Sequence, residues 1–135
     1  MRKINLIVVH CTATRALQPF SVADVDRWHR QRGFDEIGYH FLITLDGRVE
    51  PGRDIRKPGA HARGYNAHSI GVAYVGGLDS NGQPADTRTP AQRAALLSLL
   101  RKLKSDYPEA RILGHRDLAA KACPCFDATK EYAAI

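Results

Sequence analysis

Apolar residues form continuous runs that are separated by polar segments. Residues 4–9 and 70–75 are rich in Ile and Val, and each run has the length of a strand rather than of a buried helix. Runs without polar alternation are typical of strands that are buried on both faces, as in parallel sheets. A shorter run at residues 111–113 ends close to His115. The pattern therefore predicts buried strands at the beginning, middle and end of the chain.

A hairpin is predicted between the first two of these runs. Residues 40–45 alternate around a strand, Asp46-Gly47 is a preferred dipeptide for a tight hairpin turn, and residues 48–50 return as the partner strand. Residues 79–88 are instead polar and rich in turn formers. This composition predicts a surface loop.

Capping residues and apolar spacing predict the helices. Ser21 can cap a helix that runs to about Arg32. The segment T-P-A-Q at residues 89–92 combines a capping hydroxyl, a proline at the first helical position and a glutamine three residues after the cap. Apolar residues then recur at helical spacing, at Leu96, Leu99, Leu100 and Leu103. Asp127 can cap a last, short helix.

Strands that alternate with helices, together with one hairpin, indicate an α/β fold. We expect one domain over residues 1–135, with a central mixed β-sheet and helices packed on it. Open sheets of this kind form their binding crevice at the ends of the strands. His10 and His115 come directly after predicted strands. A functional site is therefore predicted at this edge of the sheet.

Composition and charge restrict the partners. The 135 residues are 44% hydrophobic and 25% charged, with a formal net charge of +6 and a sequence pI of about 9.5. A positive surface attracts polyanions such as bacterial cell wall or nucleic acid, although charge alone also serves solubility. No basic stripe interleaved with aromatic residues is present, so we expect no nucleic-acid partner.

The cysteine count and the N-terminal segment bear on location. Three cysteines cannot form a closed set of disulfides, which favours synthesis in a reducing compartment. The apolar run after Arg2 and Lys3 is too short for a signal peptide, and no run approaches the ~20 apolar residues of a membrane span. We expect cytoplasmic synthesis without a signal peptide, no membrane insertion and a monomer.

Three residues form a candidate metal site. His10 lies in V-V-H-C-T-A-T, His115 in G-H-R-D-L and Cys123 in K-A-C-P. Two imidazoles and one thiolate are good ligands for a Zn²⁺ ion, and three protein ligands leave the open position that catalytic zinc requires. The residue types alone also fit two ordinary strand histidines and a small core cysteine.

The chain resembles the type 2 N-acetylmuramoyl-L-alanine amidases along nearly its whole length. The resemblance rests on ordered segments that include V-V-H-C-T-A-T, W-H-R-Q-R-G-F, G-Y-H-F, H-A-R-G-Y-N, T-P-A-Q, G-H-R-D-L and K-A-C-P-C-F-D. It is strongest for the amidase-type lysozymes of T-odd phages and extends to the peptidoglycan recognition proteins. The resemblance implies a zinc-dependent hydrolase that cleaves the amide between N-acetylmuramic acid and the L-alanine of the stem peptide.

The same resemblance implies roles for further residues. Tyr39 in G-Y-H-F and Lys121 in K-A-C-P match catalytic positions of the family, and His61 matches a segment that lines the substrate groove. A phenol can orient or deprotonate the attacking water or donate to the oxyanion, which an ammonium can also stabilise. Without the resemblance, Tyr39 would be interpreted as a half-buried strand residue and Lys121 as a solvated loop residue.

The other histidines and cysteines are expected to be structural. His40 follows Tyr39 on a strand, so it should point to the opposite face as a hydrogen-bonded core residue. His29 and His68 are expected on a helix surface and in a loop, although helical spacing from Val22 and Val25 also allows Trp28 or His29 on the inner stripe of that helix. Cys11 should be core, by the same alternation from His10. For Cys125, which follows the motif proline, the sequence leaves open an inert thiol, a spare ligand and an oxidation partner of Cys123.

The sequence also allows two alternatives to an enzyme. The chain can be a non-catalytic muropeptide-binding module, although it retains all the ligand and catalytic positions of the family. It can also be a polymerase-binding regulator, a role of the phage lysozyme that we do not expect here because the chain begins almost at its first strand. As an amidase without a signal peptide, it would act on the cell wall after release or non-classical export.

Overall fold

The computed structural model describes residues 2–135 and contains seven strands and three helices within that range. The strands are β1 (Leu6–Cys11), β2 (Thr14–Arg15), β3 (Phe41–Ile43), β4 (Val49–Pro51), β5 (Ser69–Tyr74), β6 (Gly77–Leu78) and β7 (Arg111–Gly114). The helices are α1 (Val22–Gln31), α2 (Pro90–Asp106) and α3 (Ala128–Glu131). Single 3₁₀ turns cover Asn66–His68 and His115–Asp117. Within residues 2–135, no helix is both long and apolar enough to cross a membrane.

Five strands form a central mixed sheet in the order β4-β3-β5-β1-β7. The inner strand β1 is parallel to both β5 and β7, and β3 is parallel to β5. The antiparallel edge strand β4 pairs with β3 and completes the hairpin, whose turn contains Gly47 at a φ of 83°. The predicted α/β fold with a mixed sheet and one hairpin is confirmed.

The two faces of the sheet have different environments. Side chains alternate along a strand, so Val9 and Cys11 lie on one face of β1 and His10 lies on the other. Val9 and Cys11 belong to the main core cluster, in which the sheet packs against Leu96 and Leu100 of α2. His10 thus points away from α2 while remaining 1% exposed. This places an ionisable side chain inside the molecule on the opposite face.

Both long helices begin at the predicted caps. The Ser21 hydroxyl accepts from the Asp24 backbone N–H, and the Asp24 carboxylate accepts in return from the Ser21 N–H. Thr89 and Gln92 form the same reciprocal pair at the start of α2. The buried Gln92 amide also donates to the Val75 carbonyl at 2.9 Å, which ties α2 to the sheet. The Asp127 carboxylate caps α3.

Two expectations from the sequence need correction. Strand β1 begins and ends two residues later than the apolar run, so His10 lies within the strand rather than after it. The loop at residues 79–88 is not exposed throughout, because Arg88 is buried at its end. Its guanidinium donates to the carboxylates of Asp86 and Glu131 and lies over the Phe126 ring at 3.4 Å. Pairing with carboxylates makes the burial of this charge possible.

Candidate metal centre and cleft

Strand pairing brings His10 and His115 together. Strand β1 is parallel to β7, and Val9 lies opposite Gly114. The residues that follow them, His10 and His115, therefore lie at the same edge of the sheet. The His10 and His115 ring centroids are 4.6 Å apart. Cys123 comes from the loop before Pro124, with its Sγ 3.8 Å from His10 Nδ1.

The three side chains form the one group of potential metal ligands found among residues 2–135. One ligand atom from each of His10, His115 and Cys123 lies within 4.8 Å of the others. Two imidazole nitrogens and one sulfur are a donor set that suits zinc and leaves a tetrahedral position for water or substrate. The side chains present therefore fit a catalytic metal ion.

The electrostatic environment favours the ligand forms of all three residues. Burial lowers the pKa of His10 well below its usual value, and the neighbouring imidazoles of His61 and His115 lower it further. Burial also lowers the pKa of His115, and the Lys121 charge adds to this effect. Hydrogen bonds from Cys11, including its backbone N–H at 3.2 Å from Sγ, lower the pKa of Cys123. Neutral imidazoles and a thiolate are the forms that bind metal.

Tyr39 and Lys121 lie beside the candidate ligands. The Tyr39 ring centroid is 5.1 Å from that of His10. Burial raises the pKa of Tyr39, so the phenol keeps its proton at neutral pH. Lys121 is exposed at the cleft, close enough to His10 and His115 for its charge to lower the pKa of both. The sequence-predicted ligand and catalytic residues thus converge at one location.

A cleft of about 880 Å³ opens over these residues. Its wall carries the cations Arg32, Arg63 and Lys121, the aromatic rings of Phe34 and Tyr39, and no carboxylate within residues 2–135. Cations without a carboxylate among them attract anionic ligands. The cleft can accommodate a ligand of considerable size, since small-molecule sites span roughly 300–1,000 Å³.

His61 lies behind His10 on the inner wall of the cleft. The residue is 8% exposed, Nδ1 lies 2.8 Å from His10 Nε2, and Nε2 lies 3.2 Å from Ser69 Oγ. Both ring nitrogens are therefore occupied by protein partners. Contact between His61 and substrate, expected from the sequence, stays a prediction.

Of the remaining histidines, His40 and His68 lie where the sequence predicts and His29 does not. His40 is buried, with Nδ1 accepting from the Gly71 N–H at 3.0 Å, so its expected core role is confirmed. His68 lies in a 3₁₀ turn, as expected for a loop residue. The surface position expected for His29 is wrong, because the residue is 6% exposed and its Nδ1 accepts from the Gly38 N–H at 2.9 Å. His29 also packs against Tyr39, with ring centroids 5.3 Å apart.

The two other cysteines lie next to each other. Cys11 is buried in the core, as expected, and its Sγ is 3.9 Å from Cys125 Sγ. Cys125 is outside the group of metal-ligand atoms. Burial raises the pKa of Cys125 to about 12, which keeps the thiol protonated and unsuited to metal binding. Among the three interpretations left open, this arrangement favours an inert thiol.

A mixed sheet with three candidate metal ligands at its edge and an open cationic cleft fits a metallohydrolase. Residues 1–126 match the sequence model of the N-acetylmuramoyl-L-alanine amidase family, and the chain belongs to this family. It therefore hydrolyses the amide bond between N-acetylmuramic acid and L-alanine in peptidoglycan.

Individual relatives agree with this assignment. The endolysin of Klebsiella phage KP32 is 49% identical over 126 residues, covering 93% of this chain and 83% of the relative. The endolysin of Escherichia phage T7 is 47% identical over 123 residues, covering 91% and 82%. Among solved structures, the N-acetylmuramoyl-L-alanine amidase LysC from Clostridium intestinale URNW superposes with a TM-score of 0.82 at 32% identity, covering 96% of this chain and 82% of that one.

Proposed function

We propose that the hydrolysis depends on one zinc ion held by His10, His115 and Cys123. The observation that carries this proposal is the convergence of their donor atoms within 4.8 Å beside an open cleft. When bound there, zinc supplies Lewis-acid chemistry, polarising the amide carbonyl and lowering the pKa of a water molecule. Thiolate and imidazole ligands together suit zinc better than the hard cations Mg²⁺ and Ca²⁺.

Tyr39 acts in this proposal as a hydrogen-bond donor. Its raised pKa keeps the phenol protonated, and its ring lies 5.1 Å from that of His10. A protonated phenol can donate to the oxygen on which negative charge develops, or hold the attacking water by its hydroxyl oxygen. A half-buried donor in a cleft is effective because few water molecules compete for the same oxyanion.

Lys121 supplies positive charge from the mouth of the cleft. Its ammonium faces the same imidazoles that hold the proposed ion, and its charge adds to the effect of burial in lowering the pKa of His10 and His115. The charge stabilises the oxyanion formed when water adds to the carbonyl. The C–N bond then breaks, the lactyl carboxylate is released, and the L-alanine nitrogen leaves with a proton derived from the water.

The substrate class follows from the cleft. Arg32 and Arg63 extend the positive wall beyond Lys121, which favours stem peptides with free carboxylates in peptidoglycan or soluble muropeptides. We further propose that residues 1–135 act as a single catalytic domain and as a monomer, since the ligands, Tyr39 and Lys121 all come from one chain. The site of action in this proposal is the cell wall.

The test combines metal analysis with product analysis. Purified protein should contain about one zinc per chain, and chelation should abolish hydrolysis until zinc is restored. Incubation with peptidoglycan should produce new L-alanine amino termini without new reducing sugars. Full activity in protein shown to be metal-free would refute the role of zinc. New reducing ends without amino termini would indicate cleavage of the glycan instead.

A further inference from the structure

The two ring nitrogens of His10 face different partners. Nδ1 faces the candidate centre, 3.8 Å from Cys123 Sγ. Nε2 faces the interior of the domain, 2.8 Å from Nδ1 of His61. The two imidazoles are nearly perpendicular, at 89°, which directs the edge of one ring at the other. Of the two His10 nitrogens, Nδ1 is therefore the one available to a metal ion.

The His61 ring is held in place from several directions. Its second nitrogen, Nε2, lies 3.2 Å from the hydroxyl of Ser69, at the start of β5. Its backbone N–H donates to Oδ1 of Asn66 at 2.9 Å, and the same oxygen accepts from the N–H of Ala62. These contacts fix both the ring and the chain that carries it.

Two glycines provide the space that the His61 ring occupies. A Cβ atom at Gly71 would lie 2.6 Å from ring carbons of His61, and one at Gly59 would lie 2.5 Å from its Cδ2. Either side chain would force the ring to move, because atoms in packed interiors do not approach this closely. The ring thus fits into a slot between the backbone at Gly59 and the backbone at Gly71, behind His10.

The positions of the protons follow from this order of contacts. An imidazole that binds metal through Nδ1 carries its proton on Nε2. The His10 Nε2–H then donates to His61 Nδ1. Because this nitrogen of His61 accepts, the proton of the neutral His61 ring must be on Nε2. That proton is donated in turn to Ser69 Oγ. One set of tautomers therefore satisfies both contacts while His10 Nδ1 remains free to bind.

We propose that His61 is a positioning residue for His10: its Nδ1 accepts from His10 Nε2, fixes Nδ1 of His10 as the metal-binding atom and thereby raises the affinity of the centre for zinc. This inference rests on the zinc site proposed above. It assigns His61 a function through another residue rather than through contact with substrate. Partners of this kind contribute roughly 10- to 100-fold to metal affinity.

Three variants test the acceptor specifically. H61F keeps a ring in the slot but removes the acceptor, whereas H61N presents Oδ1 near the position of Nδ1. H29F is the matched control, since His29 is similarly buried and its Nδ1 accepts from the Gly38 N–H rather than from His10 or His61. Zinc affinity is measured by competition with a chromophoric chelator on folded protein, checked by circular dichroism.

H61F should bind zinc roughly 10- to 100-fold more weakly, H61N should recover most of the loss, and H29F should match the wild type. Wild-type affinity in H61F, or equal weakening in H61F, H61N and H29F, would overturn the proposal. So would an increase in KM at saturating zinc with unchanged zinc affinity, because that result would instead support contact between His61 and substrate.

A measurement on the wild-type protein keeps the proposal testable even where H61F does not fold. Long-range ¹H–¹⁵N spectra of the zinc-loaded protein should show His10 protonated at Nε2 and metal-bound at Nδ1, and His61 protonated at Nε2. Zinc bound through His10 Nε2 would overturn the inference while leaving the zinc amidase intact. Failure to bind zinc at all would instead refute the proposed function.

Discussion

Acidification should destabilise the protein through His40 in a calculable way. Burial lowers the pKa of His40 from 6.5 to about 4, and the charges of Arg2 and Arg53 act in the same direction. The opposing influences are the Lys57 carbonyl, which accepts from the ring, and Asp54, while the His61 imidazole lies 5.8 Å away. Since the folded state disfavours the charged ring, the unfolded state takes up the proton first as pH falls.

The sign and size follow from proton linkage. Because the pKa is lower in the folded state, the stabilisation by neutral His40 is complete above pH 6.5 and is lost as pH falls from 6.5 towards 4. With these two values, the free energy of unfolding falls by about 1.8 kcal/mol between pH 7 and pH 5 from this residue alone. The same histidine contributes almost nothing to pH dependence above pH 7.

Urea unfolding at pH 7 and pH 5, with a metal chelator present, measures this contribution. The variant His40→Asn removes the titrating ring and keeps an oxygen that can accept from the Gly71 N–H. Wild-type protein should lose about 1.8 kcal/mol more than His40→Asn on acidification. Ile70→Val serves as control, because it costs about 0.5–1.5 kcal/mol at both pH values without changing titration. An equal pH response in wild type and His40→Asn would refute the reasoning.

Three further predictions concern the site and the core. Cys123→Ser should lose bound zinc and activity while Cys125→Ser keeps both, as elemental analysis and product assays will establish, and the reverse pattern would contradict the ligand assignment. Tyr39→Phe and Lys121→Ala should retain zinc yet lower kcat by roughly 10²- to 10³-fold, and near-normal turnover would return both residues to structural roles. Arg88→Met should lower the free energy of unfolding, measured in urea, by about 2 kcal/mol. The loss is limited because the Asp86 and Glu131 carboxylates are 27% and 40% exposed, so water can replace part of their bonds to Arg88. An unchanged free energy would show that the cluster does not stabilise the fold.

Local patterns were sufficient for most of the elements. The caps at Ser21 and Thr89 and the Asp46-Gly47 turn each act over a few residues, so their consequences can be read from the sequence. The surface assignment of His29 was wrong although a signal existed: Val22, Val25 and His29 follow helical spacing and share one face of α1. The polar side chain of His29 favoured a surface position, whereas its helical spacing favoured a buried one.

Long-range pairing was beyond local patterns. His10 and His115 meet because β1 pairs with β7, and apolar runs do not specify which strands become neighbours. The resemblance to a known family, rather than periodicity, predicted that they converge. The His61 contact with His10 and the proximity of Cys11 to Cys125 depend on side-chain packing across distant segments. Neither could be obtained from spacing in the chain.

Because β1 pairs with β7, the three candidate ligands come together only when the chain is completely folded. One ligand comes from the first strand of the chain, and the other two follow the last strand. A molecule in which β7 has separated from β1 no longer presents the three donors together. Zinc bound at the proposed site would therefore stabilise only the state in which both ends of the chain are assembled, by an amount that grows with free zinc concentration. Under this proposal, loss of the final strand by proteolysis or local unfolding would release the ion and end activity in the same event.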